Sequence, residues 1–136
     1  MSRIISIDFG EKRTGLAATD PLQIIVTGLT TIPTSELKRF LVDYITEEKV
    51  EKIVIGCPQH KDGTYTHIKP NIDALKTWIL NQWPNIVVDY ADEQFSSVLA
   101  KDIILKSGVP KMKRRDKSLV DKVSAVVILQ KYLGHI

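Results

Sequence analysis

The chain has 136 residues, 43% of them hydrophobic, with 19 Lys and Arg against 16 Asp and Glu for a net charge of +3. That length suits a single domain spanning residues 1–136, and that apolar content excludes a disordered chain. The charge permits a nucleic-acid partner without requiring one, so where the basic residues sit matters more than their sum.

The lone cysteine, Cys57, excludes an internal disulfide and suits a reducing, cytoplasmic setting. No apolar run is long enough to span a bilayer, so no membrane partner is expected. The N-terminus runs straight into a strand and has no signal-peptide pattern.

The chain opens with Ile4-Ile5-Ser6-Ile7, an apolar run rich in β-branched residues that ends in Asp8-Phe9-Gly10. A carboxylate at the end of a buried strand has to be paired or bind a cation. Gly10 and Gly15 bracket a turn, and Leu16-Ala17-Ala18-Thr19 returns as a second strand. The competing reading is a hairpin in which Asp8 only caps the turn amides. Ile24-Ile25-Val26 starts a third strand, ending near Thr30-Thr31. Pro33-Thr34 marks a helix start, and Leu37, Phe40, Leu41, Tyr44 and Ile45 share one helical face.

Lys52 to Cys57 is a nearly continuous apolar run, as expected of a strand buried on both faces. The loop from Pro58 to Pro70 is either a surface connection or part of a site, since it leaves the C-terminal end of a parallel strand. Ile72, Leu75, Trp78 and Ile79 place a second helix, stopped by Pro84. Ile86 to Tyr90 is a fifth strand, followed by Asp92-Glu93-Gln94 and a Ser96-Ser97 cap. Val98, Leu99, Ile103 and Leu105 are assigned to the core face of a third helix, which Gly108 and Pro110 end. Lys111, Lys113, Arg114, Arg115 and Lys117 form the one dense basic run. Ser118 caps a last helix whose Val123–Leu129 segment is almost wholly apolar, as for a helix packed hard on a sheet.

Three antiparallel strands followed by strand–helix crossovers give an α/β fold: a mixed five-stranded sheet with helices on both faces. That is the ribonuclease H-like arrangement. In it Asp8, Glu93 and Asp121 stand at element ends that converge on one sheet edge. Clustered acids repel one another unless a cation neutralises them, and oxygen-only ligands suit Mg²⁺ or Mn²⁺. Two such ions about 4 Å apart activate a water and stabilise a leaving oxygen, which is the chemistry of phosphodiester hydrolysis.

Taken singly, each acid has a plainer role. Asp121 stands three residues after Ser118, a capping-box spacing, and Glu93 could be a solvated loop acid. The basic run is either a solvated loop or a phosphate-contacting segment beside the Asp121 helix. His60 and His67 lack helical ligand spacing and Cys57 stands alone, so zinc is not expected.

Ile7-Asp8-Phe9-Gly10 with Gly15, Gly56-Cys57-Pro58 with Asp62-Gly63, Asp92 to Ser97, and Asp121 to Ala125 follow in an order that resembles the YqgF family. This is a family of Holliday junction resolvase-like proteins described as pre-16S rRNA nucleases. The resemblance covers nearly the whole chain. It implies a cytoplasmic, metal-dependent nuclease that matures the 5′ end of 16S rRNA, with Asp8, Glu93 and Asp121 as the metal-binding catalytic acids. Its partners would be precursor rRNA and ribosomal particles. Two alternatives stay open: a resolvase of branched DNA, and a catalytically weak RNA- or ribosome-binding module. Both a monomer and a homodimer are compatible with the sequence.

Two positions depart from the family pattern. Gln94 stands where the family usually has Arg, so a bidentate phosphate contact becomes a neutral one. Ser124 stands where related junction resolvases often carry a second acid.

Overall fold

The computed structural model describes residues 2–57, 66–92, 96–108 and 116–136. Five strands form one sheet: β1 (Arg3–Asp8), β2 (Arg13–Thr19), β3 (Val26–Pro33), β4 (Val50–Cys57) and β5 (Val87–Asp92). Their order is β3-β2-β1-β4-β5. The β1–β2 and β2–β3 pairs are antiparallel, and the β1–β4 and β4–β5 pairs are parallel. The expected mixed sheet is therefore present.

Four α-helices are described: α1 (Leu37–Glu47), α2 (Lys69–Gln82), α3 (Ser96–Lys106) and α4 (Lys117–Tyr132). A 3-10 turn at Thr34–Glu36 precedes α1, so the start signal at Pro33-Thr34 acts three residues ahead of the α-helix itself.

Strand alternation divides the sheet into two faces. Ile5, Ile7, Leu16, Ile53, Ile55 and Val88 meet Leu37 and Leu41 of α1 and Ile72, Leu75 and Ile79 of α2 in one core. Ile4 and Val54 meet Ile128 and Leu129 of α4 on the opposite face. The central strands β1 and β4 are thus covered on both sides, and this explains why they read as continuous apolar runs. Ser6 lies on the α4 face and is fully buried; its hydroxyl donates to the Ala125 carbonyl at 2.6 Å, tying β1 to α4.

Three expectations require correction. First, β3 begins at Val26 rather than Ile24, and Ile24 and Ile25 are both 63% exposed. The Asp20 carboxylate accepts the amides of Leu22, Ile24 and Ile25, at 3.1, 2.7 and 2.7 Å, and so holds this stretch in a turn. A local side-chain acceptor here outcompetes the sheet.

Second, the core face of α3 was misplaced. Val98 is 63% and Ile103 43% exposed, Leu99 and Leu105 are exposed too, and Ala100 and Ile104 are the buried pair. With apolar residues on most of the helix surface, the pattern alone does not say which stripe turns inward.

Third, Asp116 rather than Ser118 caps α4; its carboxylate accepts the Ser118 amide at 2.9 Å. Asp121 consequently lies in the second turn, outside any capping box. Smaller differences affect β5, which runs on to Asp92, and the Phe40, Tyr44 and Ile45 side chains, which pack only partly buried against the core.

Candidate functional site

Because β1, β4 and β5 run parallel, their last residues share one edge of the sheet. Cys57 of β4 pairs with Asp92 of β5, and Ile7 of β1 pairs with Ile55 of β4. Asp8 ends β1 at this edge. It follows Ser6 by two residues, so alternation sets it on the α4 face.

Gly15 brings α4 to the same point. It is the cross-strand partner of Asp8 in the β1–β2 ladder. A Cβ on Gly15 would stand 2.1 Å from the Asp121 carbonyl oxygen and 2.5 Å from its carbon. Only a glycine lets the helix backbone come this close to the strand. Asp121, 113 positions after Asp8 in the chain, therefore packs directly over the residue that faces Asp8.

The Asp121 carboxylate has a partner that sequence reasoning missed. Arg13, the first residue of β2, donates from Nε to Oδ2 of Asp121 at 2.8 Å. The pair is partly open to solvent, with side-chain exposures of 42% and 25%. The only local hint in the sequence is a cation where the chain leaves the turn that follows the acid-bearing strand. Thr31 ties the neighbouring edge by donating to the Ser118 carbonyl at 2.6 Å. A cavity of about 370 Å³ between β3 and the start of α4, lined by Thr31, Asp116, Ser118 and Lys122 among others, opens beside this contact.

Ser124 is fully buried, and its hydroxyl has no hydrogen-bond partner among the described residues. It stands three positions after Asp121. Lys117, the first residue of α4, is exposed. Glu93, Gln94, Lys113, Arg114 and Arg115 lie outside the described residues. Glu93 directly follows Asp92, the last residue of β5. Among the described residues no three His, Cys, Asp or Glu side chains form a metal-binding group. Asp8 and Asp121 are two carboxylates on neighbouring elements, a donor chemistry that fits a hard divalent cation. No helix among the described residues is long and apolar enough to cross a membrane.

A family model described as "RuvX: Holliday junction resolvase" matches residues 2–135. A protein of Porphyromonas gingivalis is 50% identical over 99% of this chain and 98% of its own length. One of Flavobacterium johnsoniae is 46% identical over 98% of this chain and 97% of its own. Both carry the name "Putative pre-16S rRNA nuclease". Among solved structures, T. thermophilus RuvC in complex with a Holliday junction substrate superposes with a TM-score of 0.53 at 12% identity, covering 98% of this chain and 97% of that one. At that identity the likeness speaks to the fold, which is the ribonuclease H-like one. The matched family model and these relatives over nearly their full length lead to one conclusion: the chain belongs to the RuvX Holliday junction resolvase family.

Proposed function

We propose that this chain is a single nuclease domain, residues 1–136, that hydrolyses phosphodiester bonds in precursor 16S rRNA with the help of Mg²⁺ or Mn²⁺. One observation carries the reading: the Asp121 backbone is seated on Gly15, the partner of Asp8. Two acid-bearing positions from distant parts of the chain are thereby gathered at the sheet edge where β5 ends at Asp92, the residue before Glu93 in the sequence. The names of the relatives supply the substrate.

In this reading Asp8, Glu93 and Asp121 hold the cation. Once bound, it would lower the pKa of a water and stabilise the leaving oxygen. The chain's own residues do the positioning. Strand β1 fixes Asp8 through its ladders to β2 and β4. Asp121 is fixed by a helix that Asp116 caps and that the Ser6–Ala125 hydrogen bond fastens to β1. Lys113, Arg114, Arg115 and Lys117 would carry the phosphate backbone into the site, with Gln94 offering a neutral contact. The setting is the cytoplasm, with ribosomal particles as the physiological context.

The family description favours a second reading, cleavage of branched DNA. Such a reaction needs two active sites working together, and hence a homodimer. Incubating the protein with precursor 16S rRNA and with a four-way DNA junction, with and without Mn²⁺, separates the two. Metal-dependent shortening of the rRNA 5′ end supports the proposal. Cleavage of the junction alone would replace it, and binding without any cleavage would leave an RNA-binding module.

A further inference from the structure

We infer that Arg13 is a phosphate-contacting residue of the site, parked on Asp121 until cation and substrate arrive; this rests on the nuclease reading above. The guanidinium lies 2.8 Å from a carboxylate that the cation would need. It cannot keep that contact at full strength once a divalent ion takes the same oxygens, because the two positive centres compete for one negative charge.

The pair is built to exchange. Both side chains are partly solvated. Solvated ion pairs of this kind are weak, so a divalent ion can displace the arginine at little cost. The contact uses Nε, one of five N–H donors on a planar fork that matches phosphate oxygens.

The backbone beneath Arg13 is held firmly. Arg13 pairs with Pro33 across β2–β3, and a Cβ on Gly10 would meet the Arg13 carbonyl oxygen at 2.4 Å, so the turn is packed tightly against it. A side chain swinging from a fixed base can transfer from carboxylate to phosphate without moving the sheet. The substrate phosphate carries the negative charge that the displaced guanidinium then lacks.

The test uses the full chain with Arg13→Gln and Arg13→Lys, each confirmed as folded by thermal melting. Two quantities are read: Mn²⁺ affinity by calorimetry, and affinity for a short single-stranded RNA in Ca²⁺ across a salt series. Arg13→Gln is expected to bind Mn²⁺ roughly two- to five-fold more tightly, since a weak competing pair is gone. Its RNA affinity should fall, with the slope of log affinity against log salt shallower by about 0.7, the loss of one phosphate contact. Arg13→Lys keeps the charge and should keep the wild-type slope. An unchanged salt slope in Arg13→Gln overturns the inference whatever happens to Mn²⁺, and leaves a surface ion pair between β2 and α4. A wild type that binds neither Mn²⁺ nor RNA overturns both the inference and the nuclease reading. A wild type that binds both, with Arg13→Gln indistinguishable from it, overturns the inference alone.

Discussion

Ser124 buries a hydroxyl that finds no partner among the described residues. An unsatisfied buried hydroxyl costs about 1–3 kcal/mol, whereas an alanine at the same place has nothing to satisfy. Ser124→Ala should therefore melt at the same temperature as wild type or higher; a clear drop would show that the hydroxyl is paired in solution. Asp20 is the opposite case. Its carboxyl is held below the usual value chiefly by the Ile25 amide, with the Ile24 and Leu22 amides adding and desolvation opposing. A depressed folded-state pKa gives stability that is present above the unfolded value, about 3.9, and is lost as the pH falls through the lower folded value. Asp20→Asn should thus melt below wild type at pH 7, and thermal scans should show the gap closing below about pH 4. At this scale the place of Asp8 at the end of β1 was legible, because a charge closing an apolar strand is conspicuous. Arg13 was not legible as a partner, because its carboxylate lies 108 positions away. Only the folded chain brings such a pair together.

Helix α4 and the β1–β2 hairpin are the elements that carry Asp121 and Asp8 of the candidate site, and Gly15 is their joint. Adding a methyl group there drives it into the Asp121 backbone, and neither helix nor strand can yield without repacking. Gly15→Ala should cost roughly 1–3 kcal/mol and displace Asp121 from Asp8, with loss of cleavage. Gly28→Ala is the matched control: the nearest atoms to its Cβ would be side-chain atoms of Lys122 and Val126, at 2.9–3.4 Å, rather than backbone, so less has to shift. Chemical denaturation of the two variants checks the difference, and an equal loss in both would show that the Gly15 contact is not special. The elements were legible where one periodicity dominated. The Val123–Leu129 segment of α4 does bury Ser124, Ala125, Val127, Ile128 and Leu129. In α3 the apolar residues ring the helix, so the pattern could not choose between Val98–Ile103 and the true inward pair, Ala100 and Ile104. The start of β3 was misjudged because Asp20 takes the amides that a strand would have offered.

For the molecule as a whole, strand order and direction were readable, because hairpins, crossovers and continuous apolar strands leave few ways to build a sheet. A net charge of +3 is too small to hold a polyanion by long-range attraction alone, so binding depends on local clusters. Replacing Lys113, Arg114 and Arg115 together by Ala should weaken RNA binding and reduce its salt slope by about 2, one increment of roughly 0.7 for each lost phosphate contact on a single strand. An unchanged slope in a filter-binding salt series would make the run a solvated loop. The central claim is that Asp8 holds a catalytic cation rather than capping a turn. At the end of β1, Asn keeps the shape of Asp and an acceptor oxygen for a turn amide, but only the charged residue holds a divalent ion, so one substitution separates the roles. The measurement is cleavage of precursor 16S rRNA by wild type and Asp8→Asn in Mn²⁺. The expected result is metal-dependent cleavage by wild type and none by a folded Asp8→Asn; full activity in Asp8→Asn would contradict the assignment.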